Sequence, residues 1–303
     1  MSDIDKMKDY EQIKKYLYDG YEKDFFDECI KNLSDTGSRI RLSNFAYSLR
    51  ELVREVLADR APDGRIKNSC WYKPEYNEKG LEVISRKQRM KYAIQGGLPD
   101  SIVKDEMKMV VDETTKEVKN QIDRLSKYTH ITRDVFYSED DIEALAEESL
   151  EAVDELLRTV ADARERFGDL VIDRINDEIF DTFLYNTINE IDCLSTHHTI
   201  HFFRLDESEV IQINDDNIFF HVKGRVFVRL QYGSNMDQKN ELGYVMDVDY
   251  PFEAVFTAYI PKSLDDLMLS QVSFEVDTNE FFDADVYIEA EIAEKGASED
   301  VEM

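Results

Sequence analysis

Near Ile191 the spacing of apolar residues switches from the 3.6-residue repeat of a helix to the two-residue repeat of a strand, and it does not switch back. A chain with that pattern folds as helices followed by a sheet, because alternation of the two periods along the chain would be needed to build a parallel α/β core. The expected class is therefore α+β with segregated halves: an all-helical N-terminal domain over residues 1–190 and an antiparallel β-sandwich or partly open barrel over 191–292. An acidic, disordered tail over 293–303 follows.

The helical half reads as a series of amphipathic segments. Tyr10, Ile13, Tyr16, Leu17 and Tyr21 fall at helical spacing within residues 4–33, and Ser34-Asp35-Thr36-Gly37 stops that run. Leu42, Phe45, Leu49, Leu52, Val53 and Val56 mark a strongly amphipathic helix closed by Ala61-Pro62-Asp63-Gly64. Arg65 to Gly80 reads as a loop, and Arg86 to Gln95 as a short helix ended by Gly96-Gly97. Pro99-Asp100-Ser101 then opens a long helix through Leu125. Ser138 caps a helix reaching about Phe167, and a further helix covers about Leu170 to Ile188. In the β half, short runs such as Thr199 to Phe203, Val210 to Ile213, Asn217 to Val222, Arg225 to Leu230, Ala254 to Ile260, Val272 to Val276 and Val286 to Ala290 predict several strands. Asn214-Asp215-Asp216-Asn217 and Lys223-Gly224 are read as their turns.

With 42% apolar residues and only 11 Gly and 5 Pro in 303 residues, the chain is neither collagen-like nor wholly disordered. No run of about 18 apolar residues suggests a membrane span, and the start lacks a signal peptide's apolar core. Cys29, Cys70 and Cys193 are far apart and in no C-x-x-C arrangement, so neither a disulfide framework nor a zinc ribbon is expected. A reducing cytoplasm fits.

The net charge of −29 would repel nucleic acid if it were uniform, but residues 39–133 hold 20 Lys and Arg against 14 Asp and Glu. A basic segment in an acidic chain suggests a polyanion site. Its densest part is Arg86-Lys87-Gln88-Arg89-Met90-Lys91, with Glu82 the only acid within four residues on either side. Arg86, Lys87, Arg89 and Lys91 are thus expected to bind nucleic acid. Trp71, in the loop before them, is a candidate for stacking on a base, although plugging the helical core is the commoner role for such a residue.

Two groups of ionisable residues suggest chemistry. His197, His198 and His201 offer imidazoles to a metal, with Asp192 or Asp206 to complete a site. In a strand, however, His198 points away from the other two, so the expectation is no metal or cofactor, with a metal-dependent activity at these histidines the weaker alternative. Arg124 and His130 form an Arg-x5-His at the exit of the long helix, where a histidine can move a proton and an arginine can neutralise a phosphorane. This motif resembles the signature of the HEPN ribonucleases, small helical bundles whose site usually takes two copies, which implies a homodimer. Leu125 stands where a polar residue usually follows that family's arginine. Asp100, Glu106 and Lys108 superficially match a restriction-type metal nuclease but fall within one predicted helix. No phosphate-loop, dinucleotide or serine-hydrolase motif is present.

Leu194-Ser195-Thr196-His197-His198, Leu230-Gln231-Tyr232-Gly233-Ser234-Asn235-Met236-Asp237 and Asp249-Tyr250-Pro251-Phe252 resemble the domain called the predicted pPIWI-associating nuclease. Asn44 to Leu52, Trp71-Tyr72 and Arg89-Met90-Lys91-Tyr92 resemble the helical part that accompanies it. That resemblance implies a prokaryotic defence-linked nuclease. With the motif above, it points to metal-independent RNA cleavage by Arg124 and His130 and nucleic-acid binding through residues 39–133. The alternative is a non-catalytic adaptor whose β domain binds a partner protein of a defence system.

Overall fold

The computed structural model describes residues 11–129 and 137–282, which form two compact units. The first takes the chain to Leu170 together with Gln212–Ile218 and Tyr259–Leu267. The second takes Val171–Ile211, Phe219–Ala258 and the chain from Met268.

The first unit is built on helices α1 (Tyr21–Ser34), α2 (Arg41–Arg60), α3 (Asp63–Asn68), α4 (Arg86–Gln95), α5 (Val111–Tyr128) and most of α6 (Glu139–Tyr185). Helix α2 is central: it packs on α1, α4 and α5. Its buried stripe of Leu42, Phe45, Leu49, Leu52, Val53 and Val56 is the one read from the sequence. Phe26 of α1 and Val118, Ile122 and Leu125 of α5 belong to the same buried set.

Three helix expectations change. The helix predicted from Ser101 is broken: a π-helical turn spans Ile102–Glu106, and Lys108, with φ of 56°, interrupts the backbone before α5 starts. Conversely, the two helices expected on either side of Gly168 are one, α6, of 47 residues. Phe167, Val171, Ile175 and Ile179 are buried at an unbroken helical spacing, and that burial outweighs the roughly 1 kcal/mol that a mid-helix glycine costs. The expected loop from Arg65 to Gly80 contains the end of α3 and strand β1 (Glu75–Tyr76), which pairs as a two-stranded ribbon with β2 (Glu82–Val83) just beyond it.

The second unit contains the end of α6, the short α7 (Asn189–Asp192), and most of an antiparallel sheet. Its strands β3 (His197–Ile213), β4 (Asn217–Tyr232), β5 (Tyr244–Tyr259) and β6 (Leu269–Val276) lie in chain order, with α8 (Asn235–Lys239) between β4 and β5. The α+β class with segregated halves is thus the one expected, its β half being a single four-stranded sheet among the described residues. The strands are fewer and longer than the sequence suggests. Lys223-Gly224 is no turn but the middle of β4, where Val222, Gly224, Val226 and Val228 are buried and alternate with polar residues. Glycine is there because of crowding: a Cβ on Gly224 would stand 2.4 Å from the Arg204 carbonyl oxygen. The inner face is covered within this unit by Phe183 of α6, whose ring centroid lies 5.7, 5.5 and 5.1 Å from those of Phe203, Phe252 and Phe274. The predicted strand at 286–290 and the tail at 293–303 lie outside the described residues. Among the described residues, no helix is long and apolar enough to cross a membrane.

Candidate nucleic-acid interface

Helix α4 presents the basic run as the sequence spaces it, held at its start by a capping box between Ser85 and Gln88. Each of its cations nevertheless meets an aspartate from elsewhere in the chain. Arg86 pairs with Asp123 of α5 at 2.5 Å, Lys87 with Asp112 at 2.8 Å and Lys91 with Asp100 at 2.7 Å. Arg89 pairs with Asp63 of α3 and also donates to the Ala61 carbonyl at 2.7 Å. Pairing that is absent along the sequence is therefore supplied through tertiary packing. The Lys87 ammonium holds the Asp112 carboxyl below its ordinary range.

Trp71 is half-buried, packing on the cluster of Ala61, Ile66 and Tyr92. Its indole N–H donates to the Gly96 carbonyl at 2.8 Å, and the Lys91 ammonium lies 4.9 Å from the ring centroid. One indole thus serves both as core plug and as partner of a cation on the basic helix.

Beside it stands a polar knot that the sequence does not reveal. The β3–β4 turn enters the helical unit at Gly96-Gly97: the Gly97 N–H donates to the Asn214 carbonyl at 2.8 Å. A Cβ on Gly97 would come within 2.5 Å of the Asp215 carbonyl oxygen. Arg65 donates to the Asn214 side chain, and Asn68 to Asp215 at 3.1 Å. The Tyr92 hydroxyl is buried and closes no hydrogen bond with its neighbour Arg65. Burial and the charge of Asp215 push it up to about 12.

Arg124 lies exposed on α5, its guanidinium held by Gln121 at 3.0 Å and Glu148 at 2.6 Å. His130 falls outside the described residues. In the second unit, His197 and His201 are exposed on β3, while His198 lies 3.6 Å from Asp192 and His201 lies 3.8 Å from Asp247. Among the described residues, no group of three or more His, Cys, Asp and Glu side chains is arranged to hold a metal ion.

The outer face of the sheet carries a further set. On β4, His221, Lys223, Arg225, Phe227 and Arg229 alternate with the buried residues and so share that face. They meet an acidic row on β5. Glu253 receives both Lys223 at 3.3 Å and His221 at 3.4 Å, Asp249 pairs with Arg225, and Asp247 takes a two-pronged pair from Arg229 at 2.7 and 2.8 Å. Lys223 first, then His221, draws the Glu253 carboxyl below its ordinary range. Phe227 stacks on Phe202 of β3 with centroids 4.2 Å apart and planes at 14°. A cleft of about 460 Å³ opens on this side, between Asp206 and Glu207 of β3, Lys223 and Arg225 of β4, and Pro251 and Glu253 of β5. The signal for this set was present in the sequence as cations at every second position, Lys223, Arg225 and Arg229, around Phe227. Reading a turn at Lys223-Gly224 split the row in two.

Residues 14–156 match the model of a family described as predicted pPIWI-associating nuclease, and residues 160–282 match a second model of the same description. The chain belongs to this predicted nuclease family. No curated protein and no solved structure matches it. The two family matches meet inside α6, so the basic helix and Trp71 fall in the first and the whole sheet-face set in the second.

Proposed function

We propose that this family member is a defence-associated endoribonuclease that cleaves RNA phosphodiesters in preference to DNA and without a metal ion. The observation that carries the reading is the pair of family matches, which together run from residue 14 to residue 282. Arg124 and His130 are the catalytic groups assigned in the helical half. Histidine moves a proton between ribose hydroxyl and leaving oxygen, and arginine neutralises the phosphorane. Arg86, Lys87, Arg89, Lys91 and Trp71, within residues 39–133, contact the nucleic acid by exchanging their aspartate partners for phosphate, in a cytoplasmic homodimer. The test is cleavage of labelled single-stranded RNA and DNA at low salt with EDTA, comparing wild type with His130→Ala. RNA cleavage that weakens in the variant supports the reading, and absence of RNA cleavage by wild type refutes it.

A second reading, a non-catalytic adaptor for another protein of a defence system, is favoured by a separate observation. Met236, Leu242, Tyr244 and Val245, around the β4–β5 connection, are all exposed apolar side chains. An adaptor would tolerate His130→Gln without loss of function.

A further inference from the structure

Opposite charges facing each other across neighbouring strands are common, and by themselves stabilise a sheet only slightly. The His221, Lys223 and Glu253 group differs in three respects. One carboxylate serves two different bases on the same strand, and one of them is an imidazole, the side chain suited to proton transfer near neutral pH. Its Lys223 and Glu253 line an open cleft that also takes in Arg225, and His221 stands beside it through its contact with Glu253. Farther along the same face, the stacked Phe202 and Phe227 rings, with Phe202 56% exposed, offer a platform for a base. Same-face residues recur about every 6.7 Å along a strand, so imidazole, ammonium, guanidinium and aromatic ring follow one another in a line.

We propose that this sheet face is a second RNA-cleaving centre, separate from Arg124 and His130, with His221 as general base and Lys223 and Arg225 as the cations on the scissile phosphate. The assignment rests on the RNA-cleavage reading above. With its Nε2–H donating to Glu253, His221 presents the Nδ1 lone pair. That nitrogen takes the proton of a ribose 2′-hydroxyl as the 2′-oxygen bonds to the adjacent phosphorus. The P–O5′ bond breaks, and the departing 5′-oxygen takes a proton from water. The products are a 2′,3′-cyclic phosphate and a 5′-hydroxyl, and His221 later returns its proton to solvent. Lys223 and Arg225 neutralise the non-bridging oxygens as charge grows on them, and Phe202 with Phe227 holds a flanking base. Glu253 is a positioning residue: it fixes the tautomer and orientation of the imidazole. The acids on β5 occupy the cations until phosphate replaces them, so the face binds RNA by exchange of partners.

The experiment uses the full chain, a labelled single-stranded oligoribonucleotide and EDTA. It compares wild type, His130→Ala, His221→Ala, Glu253→Gln and the double variant His130→Ala/His221→Ala, with urea midpoints to confirm folding. Cleavage should persist in His130→Ala and fall at least about 100-fold further in the double variant, the low end of what a general base contributes. Glu253→Gln should lower kcat with little change in KM and displace the acidic limb of the pH profile, which loss of a purely structural ion pair would leave in place. The products should end in cyclic phosphate, and an all-deoxy strand should stay intact. If His130→Ala alone abolishes cleavage, or if His221→Ala cleaves as wild type does, the sheet centre is refuted while RNA cleavage stands. If wild type cleaves no RNA, the functional reading falls and the sheet centre with it.

Discussion

Gly224 of β4 lies directly beneath Phe252 of β5: a Cβ at residue 224 would stand 2.6 Å from Cζ of that ring and 2.4 Å from the Arg204 carbonyl oxygen. Neither neighbour yields easily, since Phe252 is 1% exposed and the other contact is backbone. Gly224→Ala should therefore destabilise the protein by about 1–3 kcal/mol through overpacking, despite alanine's lower backbone entropy. Urea unfolding would register this as a lower midpoint at unchanged slope, whereas Lys223→Ala, one residue away and exposed, should leave the midpoint almost unmoved.

The same glycine explains part of what the sequence hides. The helical stripe of α2, the cap and stop of α4 at Ser85 and Gly96, and the change of period near Ile191 are local properties, and local rules recover them. Lys223-Gly224 has the composition of a turn, and only the ring of Phe252, from a strand some thirty residues later, reveals that the glycine makes room inside a strand. Gly168 misleads in the opposite direction, since buried neighbours keep α6 continuous across it. The partners of Arg86, Lys87, Arg89 and Lys91 are invisible for a related reason: no acid lies nearby along the chain, and four aspartates arrive through tertiary contacts. Glu253 became legible as a partner of His221 only once β4 and β5 were in register.

The β3–β4 turn is fastened to the helical unit through Asn214, which is 8% exposed and engages both Arg65 and the Gly97 N–H. Asn214→Ala removes the side-chain acceptor and leaves the Arg65 donor without it, a loss of about 1–3 kcal/mol. Asn214→Asp keeps an acceptor for Arg65 and should recover most of that stability. Thermal unfolding of the three proteins separates loss of the hydrogen bond from a general intolerance of change at residue 214.

The three thiols should differ in reactivity. Cys29 is fully buried, and burial pushes its thiol up to about 11, so little thiolate forms at neutral pH. Cys70 is exposed but is also raised, by partial desolvation and by the charge of Asp100, and its Sγ lies 3.3 Å from the Gly97 carbonyl. Cys193 is exposed near the end of α7. Under native conditions an alkylating reagent should modify Cys193 first, Cys70 more slowly and Cys29 only on unfolding. Mass mapping of timed samples reads that order directly. Early modification of Cys29 would mean that α1 opens readily.

Lys87 and Asp112 provide a pH test with a definite sign. The ammonium holds the Asp112 carboxyl below its ordinary value of 3.8, against the opposing effect of burial. A carboxyl depressed in the folded state contributes stability that is fully present above the unfolded value and disappears as pH falls through the folded one. Lys87→Gln should accordingly lower the urea midpoint at about pH 7. The gap from wild type should begin to narrow as pH drops below about 4 and vanish once pH is below the depressed folded value, where Asp112 is protonated in both proteins. Added salt at about pH 7 should shrink the same gap, because both partners are partly exposed and their attraction is screened. At this pair the net charge of −29 works in the same direction, since removing a cation from so acidic a chain leaves more repulsion unbalanced. Lys116→Gln on the exposed side of α5 removes the same charge, so subtracting its effect isolates the contribution of the Lys87–Asp112 contact. A gap that persists unchanged at low pH would show that Lys87 stabilises the fold through its aliphatic stem and not through its charge.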